Sequence, residues 1–171
     1  MQGYVQIYTG DGKGKTTAAL GLTIRSVGAG LRVYFSQFMK KYDYSEILGL
    51  KRLGDRVTVV QFGTGRYVIG APCVEDVAAA RAGLETLRVA LTSGDYDVVI
   101  ADEANVAVSC GLLTEREVLD LIERRPLAVE LVLTGRGATP AIIAAADLVS
   151  EMVPVKHYYK QGVTARKGIE S

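Results

Sequence analysis

The chain has 171 residues, 49% of them apolar, with 20 Lys+Arg against 19 Asp+Glu and a formal net charge of +1. This length suits one domain, residues 1–171, with a sizeable core, and the balanced charge excludes an extended nucleic-acid footprint, which needs a clustered basic excess. Cys73 and Cys110 are the two cysteines, too few for a disulfide framework and without the paired spacing of a structural zinc site.

Val5-Gln6-Ile7-Tyr8 reads as a short strand running into a glycine-rich loop, Thr9-Gly10-Asp11-Gly12-Lys13-Gly14-Lys15-Thr16-Thr17. A helical pattern follows, with Leu20, Ile24 and Val27 spaced along one face and Gly28 and Gly30 ending it. Arg32 to Phe38 is the next strand, followed by a short helix over 46–53 and a strand, Val57-Thr58-Val59-Val60-Gln61-Phe62. Val77, Ala80, Leu84, Leu87 and Leu91 mark the longest helix, which Gly94 stops. Asp97 to Ala101 is a compact buried strand ending at Asp102-Glu103. Thr114-Glu115-Arg116-Glu117 predicts a capping box for a helix carrying Val118, Leu119 and Ile122, closed by Pro126. Val129 to Leu133 is a further strand, running into Thr134-Gly135-Arg136-Gly137. Thr139-Pro140 starts a short alanine-rich helix, and a last strand over 149–155, interrupted by Pro154, belongs at a sheet edge. Residues 39–45, 63–74 and the tail from His157 are poorly patterned and are the candidate substrate-facing loops.

Strands alternating with helices predict an α/β fold, a mostly parallel sheet with helices on both faces. Ligands of such sheets bind beyond the carboxyl ends of the strands. That rule gathers the glycine-rich loop, Asp102-Glu103 and Thr134-Gly135-Arg136 at one edge. No basic region leads an apolar signal segment, and no apolar run approaches bilayer length. The expectation is a soluble, cytoplasmic protein with neither a membrane nor a nucleic acid as partner.

The loop departs from the usual phosphate-loop pattern, since Thr9 stands where the first glycine belongs and Gly10 comes one place late. The physics survives the shift. Gly10, Gly12 and Gly14 still let the backbone approach an anion without Cβ clashes, Lys15 can place a cation on terminal phosphates, and the Thr16 hydroxyl can bind Mg2+. Lys13 adds a second positive charge. Asp102 or Glu103 can hold the metal opposite Thr16, and sequence does not choose between them. Arg136 can contact phosphate bidentately, although a surface arginine fits the local pattern as well. Asp11 suits a loop or ribose contact. General bases are scarce: the single histidine, His157, lies in a locally basic segment with Lys156, Lys160, Arg166 and Lys167, where a structural or surface role outweighs a catalytic one.

Taken together these segments resemble the ATP:corrinoid adenosyltransferases that act on cob(I)alamin and cob(I)yrinic acid a,c-diamide. The resemblance rests on the loop continued through Ala18-Ala19-Leu20-Gly21, on Gln37-Phe38-Met39-Lys40, on Asp102-Glu103-Ala104-Asn105 and on Arg125-Pro126. It continues through Leu133-Thr134-Gly135-Arg136-Gly137, Ala146-Asp147-Leu148-Val149, Val155-Lys156-His157 and the ending Gly162-Val163-Thr164-Ala165-Arg166-Lys167-Gly168-Ile169-Glu170. It implies a RecA-like P-loop fold, a homodimer, and transfer of the 5′-deoxyadenosyl group of ATP to the Co(I) of a reduced corrinoid with release of triphosphate. An electron-donating reductase is an implied partner.

The resemblance also implies roles for single residues. The ATP-binding set is Thr9, Gly10, Asp11, Gly12, Lys13, Gly14, Lys15, Thr16, Thr17 and Arg136. ATP lies reversed relative to ordinary P-loop hydrolases, its terminal phosphate deep in the loop and C5′ facing the corrinoid. Lys13, Lys15, Thr16 and Glu103 are the implied catalytic residues. Thr16, Asp102 and Glu103 are the implied site of Mg2+ or Mn2+. Phe38, Tyr67 and Asn105 are the implied corrinoid contacts. In one loop the chain departs from the family, with Arg66 and Val68 where a Phe and a Trp help displace the corrinoid's lower axial ligand. Two rival readings stay open on sequence: a P-loop kinase or ATPase cleaving the terminal phosphate, and a non-catalytic nucleotide-gated corrinoid-binding protein.

Overall fold

The structure, a computed structural model, describes residues 2–66, 68 and 70–170. Its centre is a six-stranded sheet of β1 (Val5–Thr9), β2 (Val33–Phe38), β3 (Val57–Phe62), β4 (Val98–Asp102), β5 (Glu130–Thr134) and β6 (Leu148–Glu151), in the order β3-β2-β4-β5-β1-β6. Every pairing is parallel. Parallel neighbours need crossovers, and these are α1 (Lys15–Gly28), α2 (Ser45–Lys51), α3 (Val74–Thr92), α4 (Ala104–Ser109), α5 (Glu115–Glu123) and α6 (Pro140–Ala144). Short 3₁₀ turns at Gly54–Arg56 and Tyr158–Gln161 complete the elements.

Because side chains alternate along a strand, each inner strand feeds two cores. Val33 and Phe35 of β2, Val98 and Ile100 of β4, and Val132 of β5 face one side, where Ala19 of α1 and Leu50 of α2 cover them. Tyr34, Phe38, Val99, Ala101, Leu131 and Leu133 face the other, against α3, α4 and α5. Inner strands buried on both faces read as continuous apolar runs, which is why β4 was so plain in sequence.

The local signals behave as their chemistry requires. Thr114 and Glu117 form the reciprocal capping box of α5, Thr139 caps α6 with Pro140 in its first turn, and Gly94 leaves α3 at φ 78°. β6 lies at the sheet edge and ends before Pro154. Of the expected face of α1, Leu20 and Val27 pack partly buried against the core, but Ile24 does not. The buried residues of α1 are Lys15, Ala19, Thr23 and Ser26, while Ile24 is 61% exposed. A face of small residues lets the helix lie close on the sheet, and the Thr23 hydroxyl is satisfied by donating to the Ala19 carbonyl at 2.9 Å.

Gly83 of α3 shows how tightly the other layer packs: an added Cβ would stand 2.3 Å from Cγ of Phe62. Helix propensity alone favours Gly83→Ala by about 1 kcal/mol. The clash falls on the root of a ring already packed against Phe38, and overpacking of this kind costs roughly 1–3 kcal/mol. Gly83→Ala is therefore expected to lower the midpoint of urea unfolding; a raised midpoint would show that the ring moves aside freely.

Candidate active site at the carboxyl edge of the sheet

In an all-parallel sheet the carboxyl ends of β1, β2, β4 and β5 share one edge, and the charged residues gather there. Between β1 and α1 the chain curls tightly, with Gly10 at φ 92° and Gly14 at φ 127°. A Cβ on Gly10 would lie 2.5 Å from the Met152 carbonyl oxygen, so the late glycine is where the loop passes against the chain leaving β6. The Gly12 N–H donates to that same oxygen at 2.6 Å. Gly14 is the N-cap of α1 and supplies no side-chain cap, which leaves the first N–H groups of the helix available to an anion.

Lys15 is only 8% exposed. Its Nζ folds back into the loop and donates to the carbonyls of Gly10 at 2.7 Å and Gly12 at 2.8 Å. Burial, aided by the nearby positive charge of Arg136, holds its pKa below the usual lysine value. The loop is thus curled around a partly desolvated cation, an arrangement that an anionic ligand relieves.

Opposite the loop, Asp102 ends β4 with 0% exposure. Its Oδ1 accepts from the hydroxyls of Thr16 at 2.9 Å and Thr134 at 2.6 Å. Its Oδ2 accepts from Gln37 Nε2 at 3.0 Å and from Lys40 Nζ at 3.5 Å. Lys40 also bridges to Glu46 at 3.3 Å and lies over the ring of Tyr44.

Glu103 follows in the left-handed conformation at φ 62°, its N–H donating to Thr134 Oγ1 at 3.0 Å. Met39, just beyond the adjacent strand β2, is also left-handed at φ 62°. Strained backbone of this kind costs on the order of 1 kcal/mol or more and persists where its surroundings fix it. Among the described residues no hydrogen bond reaches the Glu103 carboxylate. Burial, then the charge of Asp102, raises its pKa, while Lys40, Lys15 and Arg136 act in the opposite direction.

The remaining sequence candidates fall into two groups. Thr9 Oγ1 accepts from the Ala138 N–H at 3.4 Å and ties the loop to the turn after β5. Arg136 and Asp11 are exposed and lie within electrostatic reach of Lys15; Thr17 is exposed on the first turn of α1. Lys13 points instead to the tail, donating to Glu170 Oε1 at 2.9 Å and to the Tyr158 hydroxyl at 3.1 Å.

On the expected corrinoid side, Asn105 is buried, donates to the Gly135 carbonyl at 3.3 Å, and has no hydrogen-bond partner at Oδ1. Phe38 differs from expectation: it is 0% exposed, with its ring 5.5 Å from that of Phe62, and so packs in the core instead of facing a ligand. Tyr67 lies outside the described residues. Arg66 is held by Cys73 Sγ at 3.0 Å and lies 3.6 Å from Asp76. It lines, with Val68, Met39 and Phe62, a cavity of about 10 Å³, room for roughly one water.

Sequence reasoning assigned no role to Gln37, Lys40 or Thr134, nor to Glu46, Tyr158 or Glu170. For the first three a signal existed: a polar side chain in or at the end of a buried strand needs a partner, and here the partner is Asp102.

The Glu103 environment gives a pH prediction. Since its folded pKa is raised, its contribution to stability is full in acid and is lost as pH rises through that folded value. Glu103→Gln should therefore unfold at a higher temperature than the natural nucleotide-free protein at neutral pH, with the gap closing in acid. An unchanged gap across pH would contradict the burial argument.

Known proteins resemble the chain along nearly its whole length. The chain is 36% identical over 170 residues to a corrinoid adenosyltransferase of Pseudomonas aeruginosa, covering 99% of this chain and 84% of that one. It is 34% identical over 176 residues to the corrinoid adenosyltransferase of Escherichia coli K12, covering 99% and 86%. Among solved structures it is similar to the flagellar accessory protein FlaH of Methanocaldococcus jannaschii, with a TM-score of 0.60, 12% identity, and coverage of 88% of this chain and 71% of that one. That likeness speaks for the fold alone, a RecA-like α/β architecture. The family model described as ATP:corrinoid adenosyltransferase BtuR/CobO/CobP matches residues 1–171, and the chain belongs to that family.

Proposed function

We propose that the protein transfers the 5′-deoxyadenosyl group of ATP to the Co(I) centre of a reduced corrinoid, releasing triphosphate, in the formation or salvage of adenosylcobalamin. The observation that carries this reading is the pairing of a phosphate loop with the Asp102-Glu103 edge in a chain that matches the family from end to end. In the reaction a cobalt electron pair attacks C5′, the C5′–O bond breaks, and its electrons leave on the triphosphate as Co(I) becomes Co(III). No proton has to be removed. The protein's task reduces to positioning, exclusion of water and stabilisation of the leaving charge. His157, whose Nδ1 accepts from the Tyr159 N–H out on the tail, is then not needed as a base.

ATP is read with its terminal phosphate deep in the loop and C5′ outward. The triphosphate takes Lys15 Nζ from the Gly10 and Gly12 carbonyls and meets the N–H groups at the start of α1, with Arg136 and Lys13 at the rim. Asp11 and Thr17 flank it. The residues present fit Mg2+ or Mn2+. The Thr16 hydroxyl and the Glu103 carboxylate are hard oxygen donors, and an ion that keeps phosphate and water ligands takes only one or two of these from protein. Asp102 is filled by its four donors and holds the Thr16 hydroxyl in place; Glu103, whose carboxylate accepts no hydrogen bond among the described residues, would be the direct carboxylate ligand. When bound, the ion supplies further neutralisation of the leaving triphosphate.

On the corrinoid side, Asn105 and Tyr67 are the proposed contacts, and Phe38 supports them from the core. A homodimer and an electron-donating reductase belong to the same proposal, supported by the family resemblance. No helix is long and apolar enough to cross a membrane among the described residues, which is compatible with work in the cytoplasm.

Two measurements check the reading. Incubation with ATP should yield triphosphate only when a reduced corrinoid is supplied; corrinoid-independent phosphate or ADP would point to the kinase or ATPase alternative, and binding without a Co–C bond to a carrier. Lys15→Ala should cost at least ~3 kcal/mol of transition-state stabilisation, as for loss of one preorganised charge-stabilising contact. Near-normal turnover at saturating ATP would remove Lys15 from that role.

A further inference from the structure

The last residues of the chain return to the phosphate loop. After β6 the backbone crosses the loop at Met152, whose carbonyl accepts from the Gly12 N–H. It then makes the 3₁₀ turn at Tyr158–Gln161 and comes back over residues 166–170. Glu170 sits between two cations. Its carboxylate accepts from Lys13 Nζ at 2.9 Å, from Arg166 Nη2 at 3.1 Å and Nε at 3.2 Å, and from the Arg166 backbone N–H at 2.8 Å. The Tyr158 hydroxyl donates to the same carboxylate and accepts from Lys13. Both cations also lie against the Tyr158 ring, Lys13 at 5.8 Å and Arg166 at 5.2 Å from its centroid.

We propose that Glu170 is a positioning residue for ATP binding: it fixes Lys13 at the rim of the phosphate loop by bridging it to Arg166. The inference rests on the reading that Lys13 meets the triphosphate. Two points favour a positioning role over an incidental surface pair. A lone carboxylate beside a triphosphate would repel it, but Lys13, Glu170 and Arg166 together carry a net charge of +1, so the bridge brings two like charges close while leaving the cluster attractive to an anion. Lys13 also spends two of its three N–H donors on Glu170 and Tyr158, which leaves one for phosphate with the flexible stem already ordered. The carboxyl is held far below the usual carboxylate range, first by Arg166 and then by Tyr158 and Lys13, so it stays charged at any working pH.

The test is a double-mutant cycle on ATP affinity, by calorimetry with Mg2+ and ATP on the full chain. Glu170→Gln should weaken ATP binding about 3- to 5-fold, the scale of a partly exposed ion-pair network. The KM for ATP should rise by more than kcat falls, and Glu170→Asp should recover part of the loss. In a Lys13→Ala background Glu170→Gln should no longer weaken binding. Natural or tighter affinity in Glu170→Gln, or an equal loss with Lys13 already absent, would overturn the inference while leaving the proposed function standing. If Lys13→Ala itself binds ATP normally, the assignment of Lys13 to the triphosphate falls, and this inference falls with it. An unfolding midpoint without nucleotide, measured on each variant, shows that the chain remains folded.

Discussion

Asp102 is fully buried, and its carboxyl oxygens are satisfied there because donors reach it from the start of α1, from β2 and its end, and from β5. Removing an ionised carboxylate from water costs several kcal/mol unless its lone pairs are filled. Here each donor is also a part that must be positioned. Thr16 opens α1, Thr134 ends β5 and takes the Glu103 N–H, and Lys40 follows the left-handed Met39. The carboxylate thereby ties the phosphate loop to the centre of the sheet. Glu103, next in the chain, is left-handed, and its carboxylate accepts no hydrogen bond among the described residues. The two adjacent carboxylates thus stand in different surroundings.

The other consequence concerns the loop. A phosphate loop that activates water or a hydroxyl needs a base nearby, whereas one that grips a leaving group needs cations and N–H donors. Lys15 lies inside the curl, Lys13 and Arg136 stand around it, and the uncapped start of α1 lies beneath, the donor set that the proposed leaving-group role calls for. The displaced glycine fits the same picture, since Gly10 lies against the strap that carries Tyr158 and Glu170 to the rim.

What was legible in sequence was local. β3 spans the residues that its β-branched run marks, the capping box at Thr114 formed, and Pro140 and Gly94 begin and end helices as their φ preferences require. Leu20 and Val27 of α1 pack where their spacing places them, but Ile24 is exposed, and Ala19, Thr23 and Ser26 are buried without being strongly hydrophobic. α4 went unnoticed because six residues give too little periodicity to see. At the site, the loop and the two carboxylates stood out by residue type and order, whereas Gln37 meets Asp102 across 65 residues and Glu170 meets Lys13 across 157. Such pairings depend on the parallel topology and on the path of the tail, which no local pattern encodes.

The central claim is that the bond broken lies at C5′, at the end of ATP remote from the loop. ATP carrying ¹⁸O at the bridge between C5′ and the α-phosphorus reports this directly when turned over with a reduced corrinoid and analysed by mass spectrometry. The account predicts that all of the label leaves in the triphosphate. Label retained on a nucleoside product would mean that a phosphorus–oxygen bond is cut instead, and the account would be wrong at its centre.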